Sequence, residues 1–320
     1  MTDGATGGAA AVPLRIGTRG STLARTQSGL IADALTAATG VATELVSVRT
    51  FGDDHPGPLA AMPQPGVFVS ALRDALLAGD VDVAVHSMKD LPSAPVDGIA
   101  LGAVPSREDA RDALVSAGGV MLMELPPGAR VGTGSPRRAA RLRALRPDLE
   151  LVDLRGNVDS RIARVTDGEL DAVVLAVAGL ARLGRTDVIS EVLDPEVMLP
   201  APAQGALAVE CRSDDEATLA LLGLLDDRAA RVRAVSERAV LAALGATCAS
   251  AIGALAQLDG DRLQLVADAS GPDGQHVIDR ESIALTAGAT VDEAAAAAVG
   301  LGDALAHRLL AAGADRFLVR

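Results

Sequence analysis

Asp90 stands beside Lys89 in the tetrapeptide MKDL, directly after the apolar stretch VDVAVHS. A carboxylate next to an amine on a loop past a buried strand can act as an acid, a base or the partner of a developing cation. The same aspartate can equally cap the turn before Pro92. Cations gather at comparable places elsewhere: Arg19 follows LRIGT, Arg137 and Arg138 follow RVGTG, and Arg155 ends LELVDLR with Arg161 early in the segment after it. In open α/β sheets, ligands bind outside the carboxyl ends of the strands, where helix N-termini also point, so all these cations fall at one ligand-binding edge. Within GTGSPRR, Ser135 suits an N-cap and Pro136 the first helical position, which sets two cations against the helix dipole. Each such placement costs about 0.3–1 kcal/mol unless an anion takes the free N–H groups and the guanidinium forks. The pattern is that of an anion site, weighed against a solvated basic helix face. Arg141, Arg143 and Arg146, further along, read as ordinary exposed charges.

Several other chemistries lack their residues. GTG has no following GK[ST], so a phosphate-binding P-loop is not expected. His86 beside Ser87 has no G-x-S-x-G elbow, and the other three histidines are scattered, which argues against a hydrolase triad and a histidine metal site. Cys248 sits among small residues in GATCASAIG, either as a small apolar filler or as an attachment point. Cys211 is the one other cysteine. Both read as reduced thiols, since two cysteines in a long chain make no secreted disulfide framework.

The elements that must position these groups follow an alternating rhythm. LRIGT reads as a strand, Ser21 caps a helix through LARTQSGLIADALTAA that Gly40 stops, ELVSVRT is a strand, VFVSALRDALLAG a helix and VDVAVHS a buried strand. From about residue 110 the rhythm restarts with ARVGTG, SPRRAARLRAL, LELVDLR, VDSRIARVTDG and AVVLAVAGL. Such alternation implies mainly parallel sheets with helices on both faces. The Pro-rich LPAPAQG then leads into ALAVECR, a strand placed to return to the first sheet. After a helix over 229–245, strands near AIGALAQL, RLQLVADAS and HVIDRESIAL precede an Ala-rich closing helix. The expected domains are 13–107 with 203–225, then 108–202, both α/β, and an α+β unit over 226–320.

The chain has 320 residues, 49% of them hydrophobic, enough for two or three cores. A net charge of −13 and 1% aromatic content argue against nucleic-acid binding. No uninterrupted apolar run reaches the ~18–20 residues that cross a bilayer, and the start MTDGATGGAAAV lacks a signal-peptide pattern, so a cytoplasmic protein with no membrane partner is expected.

Taken together, RGSTLA (19–24), HSMKDLP (86–92), GTGSPRR (132–138), LRGNV (154–158), LPAPAQGALAVE (199–210) and TCASAIGA (247–254) resemble the hydroxymethylbilane synthase, or porphobilinogen deaminase, family, in order along nearly the whole chain. The resemblance implies two similar type II periplasmic-binding-protein-like α/β domains flanking a cleft and a small α+β C-terminal domain. It implies head-to-tail condensation of four porphobilinogens with loss of ammonia to give 1-hydroxymethylbilane. The product would be elongated on a dipyrromethane cofactor held as a thioether on Cys248. By the same resemblance Asp90 is the catalytic carboxylate. Asp90, with Lys89, Ser135, Arg137, Arg138 and Arg155, then contacts the cofactor. Arg19, Ser21, Arg155, Arg161, Arg182, Ser87 and Thr133 contact substrate, while Gln204 lies at the interdomain crossover with a structural role at least as fitting. The resemblance also implies hinges near 105–110 and 199–205, no metal, and handover of product to uroporphyrinogen-III synthase; a monomer is the default expectation. Arginine forks suit the acetate and propionate groups of pyrroles, pairing with carboxylates bidentately.

The chain departs from the family in the AAMPQPG loop, where Pro63 and Pro65 replace a Gly-rich segment, and at Thr247 and Ala251, where the family favours Gly and Pro. Two other readings compete: a noncatalytic two-domain protein that clasps a small dicarboxylate, and an enzyme using Cys248 as a turnover nucleophile.

Overall fold

The computed structural model describes residues 12–48, 67–247 and 250–318. Cys248 and the Pro63/Pro65 loop lie outside the described residues. The chain opens with β1 (Leu14–Thr18), α1 (Thr22–Thr39), β2 (Thr43–Ser47), α2 (Val67–Ala78), β3 (Val83–Ser87) and β4 (Ile99–Ala103). Local chemistry explains α1: the Ser21 hydroxyl accepts the Ala24 N–H at 3.3 Å, and Gly40 ends the helix at φ 72°. Its buried Ile31 and Leu35 lie one turn apart, each contributing about 1.5–3 kcal/mol when removed from water.

A second set follows: β5 (Asp112–Ser116), β6 (Arg130–Gly132), α3 (Pro136–Leu145), β7 (Glu150–Val152), α4 (Val158–Thr166), β8 (Ala172–Ala176), α5 (Val177–Arg182) and β9 (Glu191–Val192). Then come β10 (Leu207–Arg212), α6 (Glu216–Gly223) and α7 (Arg228–Ala243). The chain finishes with β11 (Ile252–Asp259), β12 (Arg262–Ser270), β13 (His276–Ala284) and α8 (Val291–Ala311).

The first sheet runs β2-β1-β3-β10-β4 and the second β7-β6-β8-β5-β9, which is one strand order written twice. Each sheet contains a single antiparallel strand that arrives across a crossover: β5 pairs with β8 and β9, and β10 with β3 and β4. This is the α/β arrangement with two similar sheets that the family resemblance implies. The third sheet, β11-β12-β13, is antiparallel, with α7 and α8 packed on it around Val240, Leu265, Leu301 and Leu305. Helix α8 is long and apolar enough to cross a bilayer by length and composition, yet Ala294, Ala298, Leu301, Leu305 and Leu309 are buried against this sheet.

Three strands, β4, β5 and the two-residue β9, have no counterpart in the sequence reading. The first two are five-residue runs, IALGA and DALVS, embedded between Gly, Pro and charged residues that read as linker.

The crossovers are tied together where they pass. Glu237 of α7, fully buried, accepts both guanidinium nitrogens of Arg107 at 2.7 and 2.9 Å, the Ala203 N–H at 2.6 Å and the Ala256 N–H at 2.8 Å. Four donors offset the cost of burying that charge. Beside it, Gly205 at φ 88° brings its backbone so close to the Glu108 carbonyl that a Cβ would lie 2.5 Å from the oxygen, so only glycine fits.

Candidate active site

A cleft of about 660 Å³ opens at the carboxyl ends of β1, β3, β6 and β7. Asp90 lies on its wall, exposed, at the end of the single 3-10 turn Met88–Asp90 that follows β3. Among the described residues no hydrogen bond or ion pair holds the Asp90 carboxylate. Its neighbour Lys89 is half-buried and donates to the Gln204 side-chain oxygen at 3.2 Å. Burial pushes the Lys89 amine down to about 8, with the charges of Arg137 and Arg138 adding to the shift while Asp90 and Asp112 oppose it.

The two cations that open α3 are both deeply placed. Arg137 donates to one Asp112 oxygen at 2.8 Å and to the Leu199 carbonyl, while Arg138 donates to the other Asp112 oxygen at 2.7 and 3.1 Å and to the Val174 carbonyl at 2.8 Å. Gln204 adds a donor to Asp112 at 2.8 Å and another to the Ala110 carbonyl at 2.7 Å. Burial alone would raise the Asp112 carboxyl. The charges of Arg137 and Arg138 and the hydrogen bonds of Arg138 and Gln204 outweigh it and hold the group well below the ordinary carboxylate range. The anion demanded by two cations at a helix N-terminus is thus, in large part, an internal carboxylate. Sequence reasoning missed it; the available signal was an acidic residue opening the buried run DALVS.

Arg155 and Arg161 line the same cleft in different company. Arg155 is exposed, with its Nε 3.7 Å from an exposed Asp153 oxygen. Arg161 donates one N–H to the Gly156 carbonyl at 2.8 Å. Burial first, then the charges of Arg138 and Arg155, push the Arg161 guanidinium below its ordinary value, against Asp90 and Asp153. Arg182 donates to the Gly205 carbonyl at 2.7 Å, and burial lowers its pKa too. Arg19 also lines the cleft.

The hydroxyls divide. Ser21 lines the cleft as the cap of α1, and Ser135 as the cap of α3, accepting the Arg138 N–H at 3.5 Å. Ser87 bonds to Gln27 at 3.0 Å, a buried wall residue the sequence did not single out. Thr133 departs from its expected substrate contact: it is buried behind the wall, not on it, and its hydroxyl accepts the Ser135 N–H at 3.2 Å, which shapes the turn into α3. Arg141, Arg143 and Arg146 are more than solvated charges. Arg141 donates to the Val197 carbonyl at 3.0 Å, Arg143 to the Pro272 carbonyl at 3.2 Å, and Arg146 to the carbonyls of Leu122 and Leu125 at 2.8 Å.

Thr247 and Ser250, the described residues on either side of the Cys248 segment, both line the cleft. The wall therefore combines Arg19, Lys89, Arg155, Arg161 and Arg182 with few carboxylates, and it adjoins the one segment carrying a candidate tether. That donor set fits a ligand with several carboxylates, such as a dipyrromethane. Among the described residues no group of three His, Cys, Asp or Glu side chains is placed to hold a metal ion.

Residues 14–220 match the family described as porphobilinogen deaminase, dipyromethane cofactor binding domain, and residues 231–311 match the porphobilinogen deaminase C-terminal domain. A porphobilinogen deaminase of Nocardia farcinica is 55% identical across 98% of this chain and 90% of its own length. One from Thermobifida fusca is 50% identical across 96% of each. Among solved structures, the VFT2 domain of Bordetella pertussis BvgS is 16% identical with a TM-score of 0.40, covering 66% of this chain and 84% of its own.

Proposed function

The chain belongs to the porphobilinogen deaminase family, transferases that condense porphobilinogen on a dipyrromethane cofactor, and from that premise we propose how its residues share the work. The carrying observation is the Asp90 carboxylate, held by no side-chain partner among the described residues, in a cation-lined cleft whose wall continues into Thr247 and Ser250. Cys248 carries the cofactor as a thioether. When bound, the cofactor supplies the pyrrole carbon that receives the first substrate.

Arg155, Arg161, Arg19 and Arg182 bind the acetate and propionate groups of substrate and growing product, with Ser21 and Ser87 adding hydroxyl contacts. Lys89 and the outer edges of Arg137, Arg138 and Ser135 face the cofactor's carboxylates. Asp90 accepts the pyrrole N–H of an incoming porphobilinogen and steadies the positive charge left on the ring and its methylene carbon as the C–N bond breaks and the nitrogen of the protonated aminomethyl group departs, with the bonding electron pair, as ammonia. An anion already positioned beside the breaking bond stabilises such charge without the reorganisation that bulk solvent needs. After the new C–C bond forms, the same carboxylate is placed to help remove the proton from the pyrrole carbon that made the attack, which restores that ring's aromaticity.

The domain limits 13–107 with 203–225, 108–202 and 226–320 belong to this proposal, supported by the division of strands among three sheets. So do a cytoplasmic monomer and passage of product to uroporphyrinogen-III synthase. A noncatalytic binding protein would need neither Cys248 nor Asp90.

Intact-mass spectrometry of protein purified without added ligand tests the tether. The parent should carry a covalent increment equal to one dipyrromethane, and Cys248→Ser should not. An unmodified mass in active protein would reject the thioether.

A further inference from the structure

The turn that carries Lys89 and Asp90 is gripped from outside the first sheet. Arg238 of α7 donates one terminal nitrogen to the carbonyls of Met88 and Leu91, both at 2.9 Å, and the other to the carbonyl of Pro92 at 2.7 Å. Within the turn itself, the Leu91 N–H reaches the Met88 carbonyl at only 3.3 Å. The nearby carboxylate of Glu210 is already taken by Arg73, at 2.6 and 2.9 Å, so the hydrogen bonds of the Arg238 head go to backbone. Burial lowers the Arg238 pKa below its ordinary value. A half-buried cation held by three carbonyls is a costly way to attach one helix to a loop. What it fixes is the direction of the peptide groups flanking Asp90.

Since the Asp90 side chain has no hydrogen bond of its own among the described residues, its aim depends on the backbone beneath it. We propose that Arg238 is a positioning residue for the reaction: its planar fork locks the Met88–Pro92 turn so that the Asp90 carboxylate is presented to the cleft in one geometry. The inference rests on Asp90 being the catalytic carboxylate. It adds a link from the third sheet's unit to the chemistry, because α7 ends at Ala243, shortly before the Cys248 segment. The helix leading to the proposed tether thereby also holds the carboxylate that the tethered chain must meet. A lysine at this place has rotating donors on a compact head and cannot span all three carbonyls as a fork does.

Three variants test this: Arg238→Met, Arg238→Lys and, separately, Asp90→Asn. With the cofactor mass retained, Arg238→Met should lower kcat about tenfold or more while KM stays within about threefold, because small misplacement of a reacting group is lost mainly in turnover. Arg238→Lys should recover part of that loss. The backbone amides of Lys89, Asp90 and Leu91 should exchange with deuterium faster in Arg238→Met, with core strands unchanged. A kcat within about twofold of the parent, or an increase confined to KM, overturns the proposal. If Arg238→Met does not fold, Arg238→Lys decides. A reduced kcat at parental KM with faster exchange in the turn supports the proposal, and parental values of both overturn it. Normal turnover in Asp90→Asn rejects the premise, and is read with Arg238 intact.

Discussion

Two arginine pairs stand on neighbouring strand ends of the second sheet with opposite surroundings. Arg137 and Arg138, after β6, are buried on the two oxygens of Asp112. Arg155 and Arg161, after β7, face the same cleft with, among the described residues, only a loose contact to Asp153 and one bond to the Gly156 carbonyl. One residue type at one sheet edge therefore does two jobs. A cation neutralised by a buried carboxylate chiefly builds the wall and offers a ligand only the edge that carboxylate leaves free; a cation with no buried carboxylate partner among the described residues is left to attract a ligand's carboxylates. Burial and a neighbouring arginine lower the Arg161 pKa as they do that of Arg137, so what separates the two kinds is the carboxylate partner and not the shift.

The strongest way to break the contrast is Asp112→Asn. It leaves two buried guanidinium groups without their anion and should destabilise the protein by about 3–5 kcal/mol, seen as a lowered Tm or urea midpoint. A change under about 1 kcal/mol would mean that Arg137 and Arg138 are not structurally bound to it.

Arg161→Leu should do the reverse. Its stability should stay near that of the parent while kcat/KM for porphobilinogen falls by the worth of one charged hydrogen bond, about 1.5–3 kcal/mol or roughly 10–150-fold. Parental kinetics would remove Arg161 from the site.

The smallest effect sharpens the boundary between the two pairs, at Lys89. Its amine, lowered from its ordinary value to about 8, loses its proton as pH rises through that point in the ligand-free protein. Between pH 8 and the unfolded value near 10.4, the unfolded chain holds more protons, so this group's contribution to stability rises with pH. Anion binding has the opposite sign, since it favours the charged amine. Thus kcat/KM should decline above pH 8, by at most about tenfold per pH unit, and Lys89→Met should lack that limb. An identical alkaline limb in Lys89→Met would assign it to another group.

The strand-end rule made the cleft legible because the segments that form β1, β3, β6 and β7 read as strands, and Arg19, Lys89, Arg137 and Arg155 follow them within a few residues. The α/β class followed from the same alternation. What stayed hidden was pairing at a distance. Asp112 meets arginines 25 and 26 residues further on, and Gln27 meets Ser87 60 residues away, and nothing in local spacing marks either contact. Arg238 was invisible for the same reason, lying 150 residues from the Met88 carbonyl it grips. Strands β4 and β5 escaped because five small or mixed residues between charges carry no clear period. Thr133 was read as a contact from its motif, whereas the packing of the turn gave its hydroxyl to Ser135.

Asp90→Asn tests the central assignment most directly, because it removes one charge from an exposed side chain and leaves every described hydrogen bond of the cleft wall in place. The variant should fold with parental stability and, on preassembled cofactor, retain the dipyrromethane mass. Its kcat for porphobilinogen consumption should nevertheless fall by about 10²-fold or more, as expected when a group acting on transition-state charge is lost. Turnover within a few-fold of the parent, with the cofactor in place, would contradict the account.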